Sequence, residues 1–234
     1  MTPSHSELAA AVAASRSWYD DVMALHGVPV TVTDGLWVAD GRVPPFHSTV
    51  LALRPGVDPD AAAEAIRGRQ REGLPGGGIA DCFADLDLGG RGFEKLFEAR
   101  WIHRASPEPG LADGWTQLAD PRDLRRWNEL HDYVGVLPGT VLAHPRFRVL
   151  ARSAGGYLIG GAVTHQPENG DVVGLSNVWE RPGTDPDWLG LLSIVGRLHP
   201  GRAVVGYERG TDLERAIAEG FAVVGTHRVW VPNS

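Results

Sequence analysis

Apolar residues recur at helical spacing through residues 6–26, where Leu8, Val12, Trp18, Val22 and Leu25 fall near one face. Gly27 is placed to end that helix. The pattern then changes to short apolar runs separated by turn dipeptides. Runs at 28–33 and 36–39 flank Asp34-Gly35, a hairpin signal. A strand at 47–53 leads into a helix-like DPDAAAEAIRGRQ, a second apolar run at 79–83 and a strand-like stretch ending near His103. Residues 105–114 (ASPEPGLADG) read as a linker. Beyond it the pattern predicts a helix at 121–133 capped by Asp120, with Leu124, Trp127 and Leu130 on one face. Strands follow at 147–152, 157–165 and 172–180, then a helix to Leu198, a strand at 203–207, a helix at 211–219 and a strand at 223–231.

The same words occur twice in this pattern. Residues 54–60 read RPGVDPD and residues 181–187 read RPGTDPD, each between a strand-like run and a helix-like run. Later landmarks keep nearly the same offset: Gly92-Phe93 with Gly220-Phe221, and Trp101 with Trp230. Near-constant spacing over so many landmarks points to an internal duplication.

Composition narrows the function classes. With 234 residues and 43% hydrophobic content the chain can bury one large or two small cores. A net charge of −7 argues against a nucleic-acid partner held by phosphate contacts. Cys82 is the only cysteine, which excludes an intrachain disulfide and points to a reducing, cytoplasmic compartment. The start lacks the basic and apolar regions of a signal peptide, and no stretch is long enough to span a membrane. A single lysine, Lys95, beside many arginines, glycines and prolines suggests a GC-rich bacterial genome. No His, Cys and Asp cluster has metal-ligand spacing. Cys82 sits in an apolar run beside Asp81, the setting of a structural thiol rather than a nucleophile.

The order helix, three strands, helix, strand, helix, strand resembles the GNAT (Gcn5-related N-acetyltransferase) superfamily, and the letters agree. AVVGYERGTDLERAIAEGFAVVGTHRVWV (203–231) resembles the end of a GNAT domain, and VGLSNVW (173–179) resembles its central strand. The resemblance implies an α/β mixed-sheet protein built as two tandem GNAT-like halves. These are a shortened N-terminal half at 1–104 and a C-terminal domain at 115–234, packed as a pseudo-dimer in a monomer or homodimer.

What the resemblance implies chemically is acyl transfer from acetyl-CoA to a small amine. Backbone groups of Asn177, Val178 and Trp179 would pair the pantetheine arm, and Arg181 and Gly183 would lie at the pyrophosphate turn. Opposing this, Asp185 looks like a helix cap, Pro186 offers no N–H and Asp187 adds negative charge where phosphate would sit. The position from which many family members protonate the thiolate holds Ala216. Glu208 as base, Tyr207 as acid and Glu180 are the catalytic candidates, each weighed against an ordinary strand-end carboxylate or packed tyrosine. His47 and His165 read as surface or satisfied histidines. Trp179 and Trp188 flank the turn and are candidates to line a pocket for an apolar ligand. Asp20, Asp21, Asp132 and Asp171 are candidates for a cationic acceptor, with a solvated acidic surface the simpler account. The alternative function is a repurposed GNAT fold that binds a small ligand without CoA.

Overall fold

The structure is a computed structural model and describes residues 5–168 and 170–233. The first segment forms α1 (His5–Leu25), β1 (Val30–Thr33), β2 (Leu36–Ala39), β3 (Val50–Ala52), α2 (Pro59–Arg71), β4 (Ile79–Asp81) and β5 (Phe93–Arg104). Where the second segment has its last helix, the first has only a 3-10 turn at Gly89–Arg91. The second segment forms β6 (Trp115–Gln117), α3 (Pro121–Leu130), a 3-10 turn (Gly139–Ala143), β7 (Phe147–Ala154) and β8 (Tyr157–His165). It continues with β9 (Val172–Glu180), α4 (Trp188–Leu198), β10 (Ala203–Glu208), α5 (Gly210–Ala218) and β11 (Ala222–Pro232).

Turn chemistry sets the hairpins. Asp34 and Gly35, with φ of 52° and 85°, supply the left-handed pair that a two-residue hairpin needs between β1 and β2. Asp58 accepts from the amide of Asp60 and caps α2, and Asp120 accepts from that of Arg122 and caps α3, each followed by proline at the first helical position. The third helix stops at Leu130 rather than at Tyr133, because Asp132 adopts a left-handed φ of 56°. That break swings His131, Asp132 and Tyr133 off the helix.

The described strands form one sheet of eleven, in the order β1-β2-β3-β4-β11-β5-β10-β9-β8-β7-β6. Two pairs are parallel, β3 with β4 and β9 with β10, each crossed by one helix. The strand beside each parallel pair comes from the other segment: β11 lies antiparallel to β4, and β5 lies antiparallel to β10. The two long strands β5 and β11 pair with each other at the centre.

Side chains alternate between the two faces. Trp37 and Leu51 join Tyr19, Val22 and Met23 of α1, with Leu124 and Trp127 of α3, in one core. Leu36, Val50 and Ala52 join Ala62, Ala63 and Ile66 of α2 in another. The α4 and α5 side packs on Leu150, Ala162, Val173 and Val204. So α1 and α3 cover one face and α2, α4 and α5 the other.

Gly161 marks the tightest point of this packing. A Cβ there would fall within the contact radius of Trp127 Nε1 and 2.8 Å from Trp179 Nε1. Trp127 cannot retreat, because it is fully buried and donates to the Leu150 carbonyl at 2.9 Å. Gly161→Ala is therefore expected to cost about 3 kcal/mol through overpacking, although alanine ordinarily suits a strand better than glycine. The urea midpoint checks this; an unchanged midpoint would show that the two tryptophans can move.

Candidate functional site

The parallel ladder between β9 and β10 is short. Val172, Val173 and Gly174 pair with Ala203, Val204 and Val205, and there the pairing ends. Both strands continue, β9 to Glu180 and β10 to Glu208, and β10 stays paired with β5 on its far side out to Glu208. The split leaves the edge of β9 facing an opening. A bulge re-aims that edge: Gly161 pairs with Trp179 and Val163 with Ser176, so Asn177 and Val178 together oppose one residue of β8. Asn177 takes the strained turn at φ 53°, a conformation that asparagine tolerates.

A cavity of about 480 Å³ opens at this split. Small residues of α1 (Ala11, Ala14 and Ser15) let the helix pass close over it, and Trp18 and Tyr19 extend its wall. The loop residues Phe46 and His47 close one side, and His131, Asp132 and Tyr133 close another. Phe46 stacks on Tyr133 with ring centroids 5.6 Å apart, yet 71% of its surface is exposed.

Tyr207 and Glu208 both line the cavity. Neighbours on a strand point to opposite faces, but a split is open to both, so consecutive residues can border it. Tyr207 packs edge-on against Trp101 at 5.4 Å and lies tilted against His227 at 4.8 Å, with 39% of its surface exposed. Desolvation raises its phenol pKa. Desolvation, with a smaller contribution from the Asp212 carboxylate, pushes Glu208 up to about 7. A carboxyl held there is poised to take up or release a proton near neutrality.

The histidines of the wall have defined partners. His47 accepts from Trp18 Nε1 at 3.1 Å and donates from Nδ1 to the Pro45 carbonyl at 2.9 Å, and burial lowers it to about 4. His131 meets Asn177 Oδ1 through Nε2 at 3.3 Å and stacks on Trp179, and burial lowers its pKa. His165, 1% exposed, gives Nε2 to Asp21 Oδ2 at 2.6 Å, and Arg146 pairs with the same aspartate.

Other candidates lie elsewhere. Glu180 is outside the cavity lining; it accepts from the Asp187 amide at 3.0 Å and lies 3.8 Å from Arg152. Asn177 and Val178 line the cavity, whereas the Trp179 side chain is buried in the α1–α3 core. Arg181 and Gly183 sit in the loop before α4, Gly183 at φ 83°. Asp20 accepts from Trp37 Nε1 at 2.7 Å, and Ala216 is fully buried. Trp188 lines a smaller cavity of about 280 Å³ between the start of α4 and Arg215 of α5. Cys82 is buried, and its pKa is raised by desolvation and then by Asp81. Among the described residues no cluster of His, Cys, Asp and Glu could hold a metal ion, and no helix is long and apolar enough to cross a membrane.

The cap of α4 is Asp187 and not Asp185. Its carboxylate accepts from the Gly190 amide at 3.0 Å and from Trp115 Nε1 at 2.9 Å, and it lies 3.5 Å from Arg152 Nε. Helix α2 is capped by the first aspartate of its DPD, so the two repeated heptads start their helices in different registers. Trp115 explains the difference: its indole N–H reaches across from β6 to the second aspartate.

What the sequence reading missed is the contribution of α1, of Phe46 and of the His131–Tyr133 bend. The available signal was local: Phe-His after a Pro-Pro pair, and His-Asp-Tyr just past a helix end, both chemistry-bearing residues on loops.

The chain has the mixed-sheet fold of the GCN5-related N-acetyltransferases. It is similar to a GCN5-related N-acetyltransferase from Kribbella flavida, with a TM-score of 0.62, 13% identity and coverage of 95% of this chain and 96% of that one. A GCN5-related N-acetyltransferase-like protein from Streptococcus suis gives a TM-score of 0.51 at 12% identity, covering 92% and 94%. A functionally unknown conserved protein from Staphylococcus epidermidis gives 0.56 at 10% identity, covering 85% and 84%. No protein-family model matches the sequence, and no curated protein matches it.

Proposed function

We propose that the chain is an acyltransferase that moves an acetyl or other acyl group from acyl-CoA to a small amine held in the β9–β10 cavity. The observation that carries this is the split itself: an unpaired, bulged strand edge beside a carboxyl of near-neutral pKa and a tyrosine. Acyl-CoA supplies the activated acyl group. The chain supplies the rest. The backbone of Asn177, Val178 and Trp179 offers strand-edge hydrogen bonds to an extended amide-bearing arm. Glu208 removes the ammonium proton, and the neighbouring Tyr207 phenol gives one to the departing CoA thiolate. Arg181 and Gly183 stand at the turn where phosphate would arrive. An assay of free-thiol release from acetyl-CoA over a panel of primary amines tests this; amine-dependent release is expected, and its absence across the panel would sink the reading.

We further read the chain as two tandem GNAT-like halves that have exchanged their last strands. The reading is supported by the matched parallel pairs and by the placement of β5 and β11, each beside the other segment's pair. In the first half the segments beyond the matching parallel pair are tied together at the surface: Gly56 N donates to Asp85 and Arg91 pairs with Asp60. We therefore propose one acyl-CoA cleft per chain.

A second reading has its own observation. Asp187 places a carboxylate on the helix donors that a pyrophosphate would use, so the start of α4 fits a phosphate poorly while the split fits the arm well. The fold would then serve a small ligand without CoA. Asp187→Asn keeps a capping side chain and removes the charge. It is expected to tighten CoA binding about tenfold. Titration of both proteins decides; equal affinities would show that Asp187 does not oppose the phosphates.

A further inference from the structure

The cavity wall is unusual in what it lacks. Among the described residues no Lys or Arg lines it, and its only formally charged members are Asp132 and Glu208. Two of the wall histidines, His47 and His131, have their pKa lowered by burial, which disfavours their cationic form. His165 gives Nε2 to Asp21, and its buried Nδ1 has no partner among the described residues. Much of the remaining surface is aromatic, beside small and aliphatic residues of α1, β9 and β10. Trp18, Tyr19, Phe46, Trp101, Tyr133 and Tyr207 surround the space.

Such a wall discriminates by charge. An ammonium group gains from the two carboxylates and from aromatic faces. A carboxylate entering the same space meets the two acidic side chains and finds there no lysine or arginine among the described residues to replace its lost hydration. An aromatic or extended apolar body fills what remains.

We propose that this cavity binds a primary amine on an aromatic or apolar body and rejects the amino acid that carries the same side chain. The proposal rests on the reading of the cavity as the acceptor site, but not on CoA binding. It assigns Asp132 and Glu208 as the ammonium partners and Phe46 with Tyr133 as the stack that covers the body.

Isothermal titration of the whole chain with 2-phenylethylamine, phenylalanine and 3-phenylpropionate tests it. The amine is expected to bind at least about tenfold tighter than phenylalanine, with no detectable binding of the acid. Glu208→Gln and Asp132→Asn are each expected to weaken the amine by about tenfold or less, and together by more. Phe46→Ala removes an exposed ring, leaves folding intact by circular dichroism and is expected to weaken the amine several-fold. Phenylalanine binding as tightly as the amine, or a linear polyamine binding tighter, would overturn the proposal. Titration with acetyl-CoA in the same preparation separates the two readings. Amine binding without acetyl-CoA binding sinks the transferase reading and leaves this one. Acetyl transfer to carboxylate-bearing acceptors alone sinks this one and leaves the transferase reading.

Discussion

Acidification from pH 6.5 to 4 is expected to destabilise the protein by a net amount on the order of 5 kcal/mol, enough to unfold a domain of ordinary stability. Three buried histidines carry this. His47, His199 and His227 are all lowered to about 4 by burial. The unfolded chain takes up their protons at about pH 6.5, so between the two values the unfolded state binds more protons and stability falls as pH falls. At roughly 1.4 kcal/mol per pH unit each histidine contributes about 3 kcal/mol. The local geometry agrees. His199 meets Thr164 Oγ1 through Nε2 at 2.9 Å and Gln166 Oε1 through Nδ1 at 3.3 Å, with no carboxylate partner among the described residues to favour the charged ring. Glu208 works in the opposite direction. Its folded pKa of about 7 lies above the unfolded carboxylate value, so its burial cost is relieved as pH falls from 7 towards 4.5, returning about 3 kcal/mol. Asp81, raised by desolvation, adds to that offset. Urea midpoints at pH 6.5 and pH 4 measure the net effect. His199→Gln is expected to remove about 3 kcal/mol of the pH dependence; an unchanged slope would mean that His199 is not held neutral.

Glu208→Gln is expected to lower kcat/KM for acyl transfer by about 100-fold at pH 7.5, the usual scale for losing a general base. The wild-type rate should rise as pH climbs through about 7, where Glu208 ionises, and the variant should lose that inflection. The same variant should also be more stable than the wild type above pH 7, because it no longer buries an ionised carboxylate. A gain in stability with a loss of activity is the signature of a group strained for function. Lower activity with an unchanged pH profile would move the base to another residue.

Much of this architecture is legible in the letters. Asp34-Gly35 gives the hairpin, Asp58-Pro59 and Asp120-Pro121 give two helix starts, and the repeated heptad gives the two helix crossovers, because all of these are local chemistry. The neighbours of β5 and β11 are not legible. An alternating apolar pattern says that a strand has a buried face, but not which strand lies beside it, so the placement of β11 between β4 and β5 emerges only in three dimensions. The cap of α4 failed for a similar reason. Asp185 and Asp187 are equally good caps by sequence, and the choice is made by Trp115, 72 residues away. Glu180, at the end of β9, is drawn to that loop: its carboxylate holds the Asp187 amide and lies outside the cavity lining. The aromatic wall was hidden because α1 is far from β9 in the chain, and its Trp18 and Tyr19 look like ordinary core residues on an amphipathic helix.

One cleft per chain, at the β9–β10 split, is proposed to receive an acyl-CoA. Isothermal titration of the wild-type chain with acetyl-CoA tests it most directly. Micromolar binding at one site per chain is expected. No binding up to millimolar concentration, or two equal sites per chain, would contradict it.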